Sequence, residues 1–224
     1  MSPTTRTTIA RGRKRAVTER DQLLAFLAEA PVAHLGVVVD GQPLVLPTAH
    51  AIDPDGPDDA GSLYVHGSVA ARWLQAANDV TVCITVTELD GFVLGRSAFH
   101  HSMNYRSAVV IGHARTVADP DERQHALDLT VDHMVPGRSA ELRPSTRKEL
   151  AATAVLAVPL REASMKARAG GPGDEPDDIA AGMWGGHVPC RRVVAEPVAD
   201  ADARGAAPRS VATLVAAADQ FSQQ

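Results

Sequence analysis

The chain has 224 residues, 45% of them hydrophobic, with 22 Lys and Arg against 27 Asp and Glu for a formal net charge of -5. That length and composition allow one large domain or two small ones with a sizeable core, and the acidic balance excludes generic affinity for nucleic acid. Cys83 and Cys190 are the only cysteines, which excludes a disulfide framework and a CxxC zinc pattern and suits a reducing cytosol, so a cytoplasmic protein is expected.

Arg6, Arg11, Arg13, Lys14 and Arg15 lie in a polar N-terminus with no apolar run behind them. Neither a signal peptide nor a membrane span is expected, and residues 1–16 read as a flexible, solvated tail. Thr18-Glu19-Arg20-Asp21 resembles an N-cap with acids in the first turn. Leu23, Leu24, Phe26 and Leu27 then form the apolar face of a helix that Pro31 ends. Residues 32–39 are a β-rich run, and Asp40-Gly41 is a two-residue hairpin signal. The returning strand spans 42–52, with Pro47 placing it at an edge or a bulge. A polar turn follows over 53–59.

Leu63, Tyr64 and Val65 read as a strand that runs through His66-Gly67-Ser68 into a helix over 69–77, with Ser68 as its N-cap. Unpartnered N–H groups, the positive end of the helix dipole, the Ser68 hydroxyl and the Arg72 guanidinium would together suit a phosphate. A plain capped helix with a surface arginine is the other reading. Val80, Val82, Ile84 and Val86 alternate with Thr81, Cys83, Thr85 and Thr87, the pattern of a half-buried strand. Glu88-Leu89-Asp90-Gly91 predicts a turn, 92–94 a further strand, 97–103 a short helical piece and 104–117 a long strand in which Gly112 permits a bend. Asp119-Pro120-Asp121-Glu122 opens a helix that continues through Met134 to Pro136-Gly137. A helix over 145–152, a strand over 153–160, a flexible acidic loop over 170–178 and a last strand over 187–196 complete the domain. Residues 200–209 are linker-like, and 211–221 form a terminal helix. The strands do not alternate with helices, and neither GxGxxG nor a Walker A loop occurs, so a mainly β protein with flanking α-helices, an antiparallel barrel, fits best.

The run Gly91-Phe92-Val93-Leu94-Gly95-Arg96-Ser97-Ala98-Phe99-His100-His101-Ser102-Met103-Asn104-Tyr105-Arg106-Ser107, taken with His66-Gly67-Ser68 and Arg72-Trp73-Leu74, resembles the pyridoxamine 5'-phosphate oxidase-like, flavin-nucleotide-binding family. The branch that contains the nitroimidazole-resistance proteins is the nearer one. The likeness covers roughly residues 15–198 and takes in Asp40-Gly41-Gln42-Pro43, Gly112-His113-Ala114, Glu162-Ala163-Ser164-Met165-Lys166 and Trp184-Gly185-Gly186. It implies an antiparallel FMN-binding split β-barrel over 17–198, with the tail 1–16 before it and a linker plus short helix over 199–224 behind it. It also implies a homodimer with FMN near the subunit interface. In similar proteins, residues matching His66, Gly67, Ser68 and Arg72 lie beside the flavin phosphate or ring, and those matching Tyr105, Arg106 and Ser107 lie on an adjacent strand. Pro47, Thr48 and Ala49 would run along the isoalloxazine edge, Lys166 would join the cofactor set, and Trp184 would border the ring from the partner subunit. Ala71 stands where a hydroxyl residue often precedes the arginine, and His187 and Cys190 stand where apolar residues are usual.

Arg106 in a strand needs an anion, supplied either by a ligand or by one of the many acids of the chain. His66 is the one catalytic candidate, as a proton donor near neutral pH. His100 and His101 are adjacent and point apart, His125 and His133 sit on a mostly polar helix, and His187 with Cys190 makes only two ligands, so no metal site is expected. A haem would use one of these histidines axially, without a CxxCH attachment. No GxSxG elbow supports hydrolase chemistry. The resulting expectation is an FMN-dependent oxidoreductase. It would pass electrons from a nicotinamide donor to a small acceptor, a nitro compound among the candidates. A flavin-binding storage or sensor module, or a haem- or deazaflavin-binding relative, is the alternative.

Overall fold

A computed structural model describes residues 4–222. In chain order the elements are β1 (Ala16–Val17), α1 (Arg20–Glu29), β2 (Ala33–Val39), β3 (Gln42–Thr48), β4 (His50–Asp53), β5 (Ser62–Ser68), α2 (Arg72–Ala77), β6 (Thr81–Leu94), β7 (Ser102–His113) and β8 (Arg115–Thr116). They continue with α3 (Pro120–Met134), α4 (Arg147–Ala152), β9 (Thr153–Pro159), β10 (Ala163–Arg168), α5 (Pro176–Ala180), β11 (Gly186–Pro189) and α6 (Arg209–Ser222). The strands form two antiparallel sheets. The larger runs β1-β10-β7-β6-β2-β3 with β11 added beside β6, and the smaller runs β4-β5-β9-β8.

Local chemistry explains most of these elements. At the β2–β3 turn Asp40 and Gly41 both take positive φ, 51° and 76°, as a two-residue hairpin requires. Asp119 caps α3 by accepting from the N–H groups of Asp121 and Glu122, and Pro120 fills the first turn. Thr146 and Glu149 form a reciprocal capping box on α4. β6 alternates as its sequence predicts: Val82, Ile84 and Val86 are buried, while Thr81, Cys83, Thr85 and Thr87 face outward.

The core lies between the two sheets, with α1 inserting Leu23, Phe26 and Leu27 against Leu35, Ile84 and Val110 of the larger sheet and Leu63, Val65, Leu156 and Val158 of the smaller. The other face of the smaller sheet is covered by α3, where Tyr64, Val155 and Ala157 meet Ala126. Both faces of β9 are therefore buried, which is why its sequence reads as an unbroken apolar run rather than an alternation. Among the described residues no helix packs on the outer face of the larger sheet in this way.

Several expectations change. The single strand expected over 42–52 divides at Ala49: β3 belongs to the larger sheet and β4 to the smaller. The strand expected over 104–117 divides in the same way at Ala114. Gly112 serves a close approach, not a bend, because a Cβ there would lie 2.7 Å from Val158 Cγ1. The turn expected at Glu88–Gly91 is absent. β6 runs straight through it, and Asp90 is the extra residue of a bulge between Leu89 and Gly91. The last strand is four residues long and not ten. β10 and α5 had no sequence signal, and the N-terminal segment packs against the β9–β10 turn, where Arg6 donates to Glu162 at 2.6 Å.

Candidate functional site

The candidate residues are divided between the two sheets, near where the chain crosses from one to the other. β4 begins its pairing with β5 at His50 opposite Val65, one residue short of His66. β3 pairs with β2 through Thr48 opposite Ala33, and β2 continues the row through Ala33 opposite Val86. One residue further along, Thr87, Ser107 and Lys166 stand directly opposite one another on β6, β7 and β10. Ala49 follows the Thr48 row and so lies level with the Ser107 row, part-way along β6 and β7. Ala49 and Ser107 are separated by three strand spacings, about 14 Å.

Ser68 does not cap a helix. β5 stays paired with β9 as far as Ser68 opposite Thr153, and the Ser68 hydroxyl accepts from the Ala70 N–H at 3.2 Å. α2 starts only at Arg72 and is capped by Ala71 without a side-chain bond. The expected phosphate cradle at a helix start is therefore replaced by a strand end and a turn, because pairing with β9 holds the backbone extended. Gly67 is required by packing: a Cβ would come within 2.9 Å of Leu74 Cδ1 and 3.2 Å of Trp73 Cζ2. Arg72 is exposed and paired with Asp40 of the β2–β3 turn at 2.7 Å, a pair too solvated to hold the arginine strongly.

His66 lies on the smaller sheet opposite Val155, on the same face as Tyr64, and so apart from the Ser107 row. It is half-buried, and its Nδ1 is sealed from solvent without a hydrogen-bond partner. Burial pushes its pKa below the ordinary imidazole value, so the ring is neutral near pH 7. Other histidines are engaged: His101 Nδ1 with Ser97 O at 2.9 Å, His113 with Asp79 at 2.8 Å, His125 with Asp53 at 3.0 Å and His133 with Ala30 O at 2.9 Å.

Arg106 and Ser107 face opposite ways. Ser107 Oγ lies 3.1 Å from Thr87 Oγ1 on the outer face, beside half-buried Lys166. Arg106 turns inward over the Phe26 ring at 5.3 Å and is held by Glu29 at 2.7 Å and Asp90 at 3.0 Å. Those bonds raise its already high pKa further. Its anion is the protein itself. Tyr105 is half-buried and, from the strand alternation, faces outward with Ser107. Thr48 donates to the Ala49 carbonyl at 3.0 Å, and Pro47 stands opposite His34 at the edge strand.

Trp184 is 69% exposed. It precedes β11, whose Gly186 pairs with Leu94, seven residues beyond Thr87 on β6 and so about 23 Å from the Ser107 row. Within one chain it does not join that row. Its loop is pinned by Arg96, which donates to Asp174 at 2.6 Å and to Met183 O at 2.7 Å. The sequence reading missed the acids that set these arginines: Asp40, Glu29, Asp90 and Asp174. Only Asp40, at the hairpin turn, carried a signal. Among the described residues no group of three His, Cys, Asp or Glu is placed to hold a metal ion, and no helix is long and apolar enough to cross a membrane.

The sequence model of the pyridoxamine 5'-phosphate oxidase family matches residues 19–167. No curated protein matches the chain. Among solved structures, the flavocytochrome Anf3 from Azotobacter vinelandii is similar at 34% identity, with a TM-score of 0.86 over 95% of this chain and 97% of that one. An FAD and haem binding protein from Mycobacterium smegmatis is similar at 38% identity, with a TM-score of 0.81 over 89% of this chain and 96% of that one. A protein from Bacteroides thetaiotaomicron described as a 5-nitroimidazole antibiotic resistance protein shares the fold at 22% identity, with a TM-score of 0.54 over 67% of this chain and 85% of that one.

Proposed function

The chain belongs to the pyridoxamine 5'-phosphate oxidase family, and on that footing we propose that it is a redox protein that binds a flavin nucleotide together with haem. The observation that carries the reading is the extent of the likeness. The family model ends at residue 167, whereas a flavocytochrome and an FAD and haem binding protein match 95% and 89% of the chain. FAD is the flavin proposed, in place of the FMN that the motifs alone imply. The nitroimidazole-resistance neighbour supports the fold and no substrate.

Pro47, Thr48 and Ala49 would border the flavin ring, with Ser107 and Lys166 supplying a hydroxyl and a charge to its phosphates. His66 suits the haem iron. A ligating imidazole must be neutral, and burial keeps this one so. It also has no hydrogen bond to give up. When bound, the two groups supply the electron-transfer chemistry, and the chain holds, orients and shields them. Val38 and Val45, 63% and 64% exposed on the uncovered face of the larger sheet, support a second copy packing there, as a homodimer requires. A nicotinamide donor and a cytoplasmic setting complete the proposal.

Absorbance of the purified chain after incubation with FAD and haemin tests it. Flavin bands and a Soret band are expected, with FAD recovered on denaturation and bleaching by NADH or NADPH under anaerobic conditions. His66→Ala is expected to lose the Soret band and keep the flavin. Protein that takes up neither group overturns the proposal, and recovery of FMN overturns the FAD assignment.

A further inference from the structure

The N-terminal segment is fixed to β10 and its preceding turn at two places. At one, Arg6 donates to both carboxylate oxygens of Glu162, at 3.0 and 2.6 Å, and Thr4 donates to the same group. At the other, β1 pairs with β10, Ala16 opposite Lys166 and Val17 opposite Met165. Between these anchors the segment arches away from the strand through Gly12, which takes φ 72°, and a short helical turn over Arg13–Arg15. The arch leaves a cavity of about 350 Å³. Packed interiors hold few gaps much larger than a water molecule, and this volume falls within the range of small-ligand pockets.

The lining has a definite chemistry. Ile9, Val17 and Met165 give it an apolar wall, Thr18 and Ser164 add hydroxyls, and Arg13 is the only charged residue. Arg6, Arg106, Arg115 and Arg161 each hold a carboxylate. Among the described residues Arg13 holds none. A guanidinium left without an acid, at an apolar cavity large enough for an organic molecule, is complementary to one class of ligand. We propose that this cavity binds a small monocarboxylic acid with a hydrocarbon body, its carboxylate on Arg13 and its body against Ile9, Val17 and Met165. None of the lining residues is among those proposed to hold flavin or haem, although Ala16 stands opposite Lys166, and the reading does not depend on either group.

Calorimetric titration of the purified full chain with sodium hexanoate tests it, with 1-hexanol as the uncharged counterpart. Hexanoate is expected to bind saturably and hexanol at least about tenfold more weakly, the difference that one charge-assisted contact makes. Arg13→Ala is expected to weaken hexanoate about tenfold and leave hexanol unchanged. Thr8→Trp, which fills the cavity from an exposed position, is expected to abolish binding of both. Melting temperatures of both variants are read alongside to establish that they fold. Absence of saturable hexanoate binding overturns the proposal, as does equal binding of hexanol. Hexanoate affinity that survives unchanged in both folded variants overturns it too, because binding then lies elsewhere.

Discussion

The rings of His50 and His133 meet edge to face, their centroids 4.5 Å apart. Each donates from Nε2 to a main-chain oxygen at the end of α1, His50 to Leu27 O at 3.0 Å and His133 to Ala30 O at 2.9 Å. Helix ends leave carbonyls without intrahelical partners. Two histidines from β4 and α3 thus satisfy the end of the helix that fills the barrel.

This pair predicts acid sensitivity. Burial, reinforced by the proximity of His133, lowers the His50 pKa from 6.5 to about 4. Burial lowers His133 too, assisted by Arg192. Both are neutral in the fold at pH 7, so the unfolded chain takes up protons first as pH falls. Stability is therefore full above about pH 6.5 and declines toward pH 4, by about 3 kcal/mol for His50 alone. Urea midpoints at pH 7, 5.5 and 4.5 are expected to fall for the native chain and to fall less steeply for His50→Phe. Equal slopes would remove the histidine pair as the cause.

Arg115 joins two acids that could not be left alone. It donates to Asp58 at 2.7 and 2.9 Å and to Glu122 at 3.1 and 2.6 Å, and Tyr64 and Ser62 extend the network to 3.1 and 2.6 Å bonds with those acids. The Asp58 and Glu122 side chains are only 10% and 16% exposed. Burial opposes the Asp58 charge, but the bonds from Arg115 and Ser62 outweigh it and hold the carboxyl below its usual range. Arg115→Met is expected to destabilise the fold by about 3–5 kcal/mol, the cost of uncompensated buried charge. Adding Asp58→Asn and Glu122→Gln is expected to restore much of that loss in denaturant melts.

Gly91 allows β11 to lie against β6. A Cβ at that position would come 2.7 Å from Val188 O, and a backbone oxygen cannot rotate aside. Gly91→Ala is expected to detach β11 and the Trp184 loop at a cost of about 1–3 kcal/mol. Hydrogen exchange at the Cys190 amide, which donates to Asp90 O at 3.0 Å, is expected to accelerate while exchange in the β2–β3 ladder stays protected.

Arg106 and Lys166 are expected to separate stability from binding. Arg106→Ala removes partly exposed pairs with Glu29 and Asp90 and is expected to cost about 1 kcal/mol while flavin affinity is unchanged. Lys166→Ala is expected to leave the denaturation midpoint within about 0.5 kcal/mol and weaken flavin binding about tenfold. Flavin fluorescence titration of the two variants reads the difference.

Much of the fold is legible where a local rule decides it. Asp40-Gly41 specifies its turn, Asp119-Pro120 its helix start, and the alternation from Thr81 to Thr87 its half-buried strand. The rest depends on partners distant in sequence. β10 reads Ala-Ser-Met-Lys-Ala-Arg, with weak β-propensity, and is a strand because β7 pairs along its whole length. Asp90 and Gly91 are turn residues locally but become a bulge because β7 continues past them. Ser68 has the chemistry of a helix cap, yet β9 keeps it extended. At the candidate site, His66 and the row to Lys166 came from motif, whereas the inward turn of Arg106 came from a strand parity that one residue decides.

The crossings at Ala49 and Ala114 also govern how the chain folds. β4 and β8, the two edges of the smaller sheet, are continuations of β3 and β7 in the larger. Its inner strands, β5 and β9, come from residues 62–68 and 153–159, so its central ladder closes a loop over residues 69–152. Neither sheet can be finished before the other is in place. Folding is expected to be slow for a chain of this size and unfolding to be a single cooperative event, and a fragment cut between α3 and β9 is expected not to retain half of the barrel.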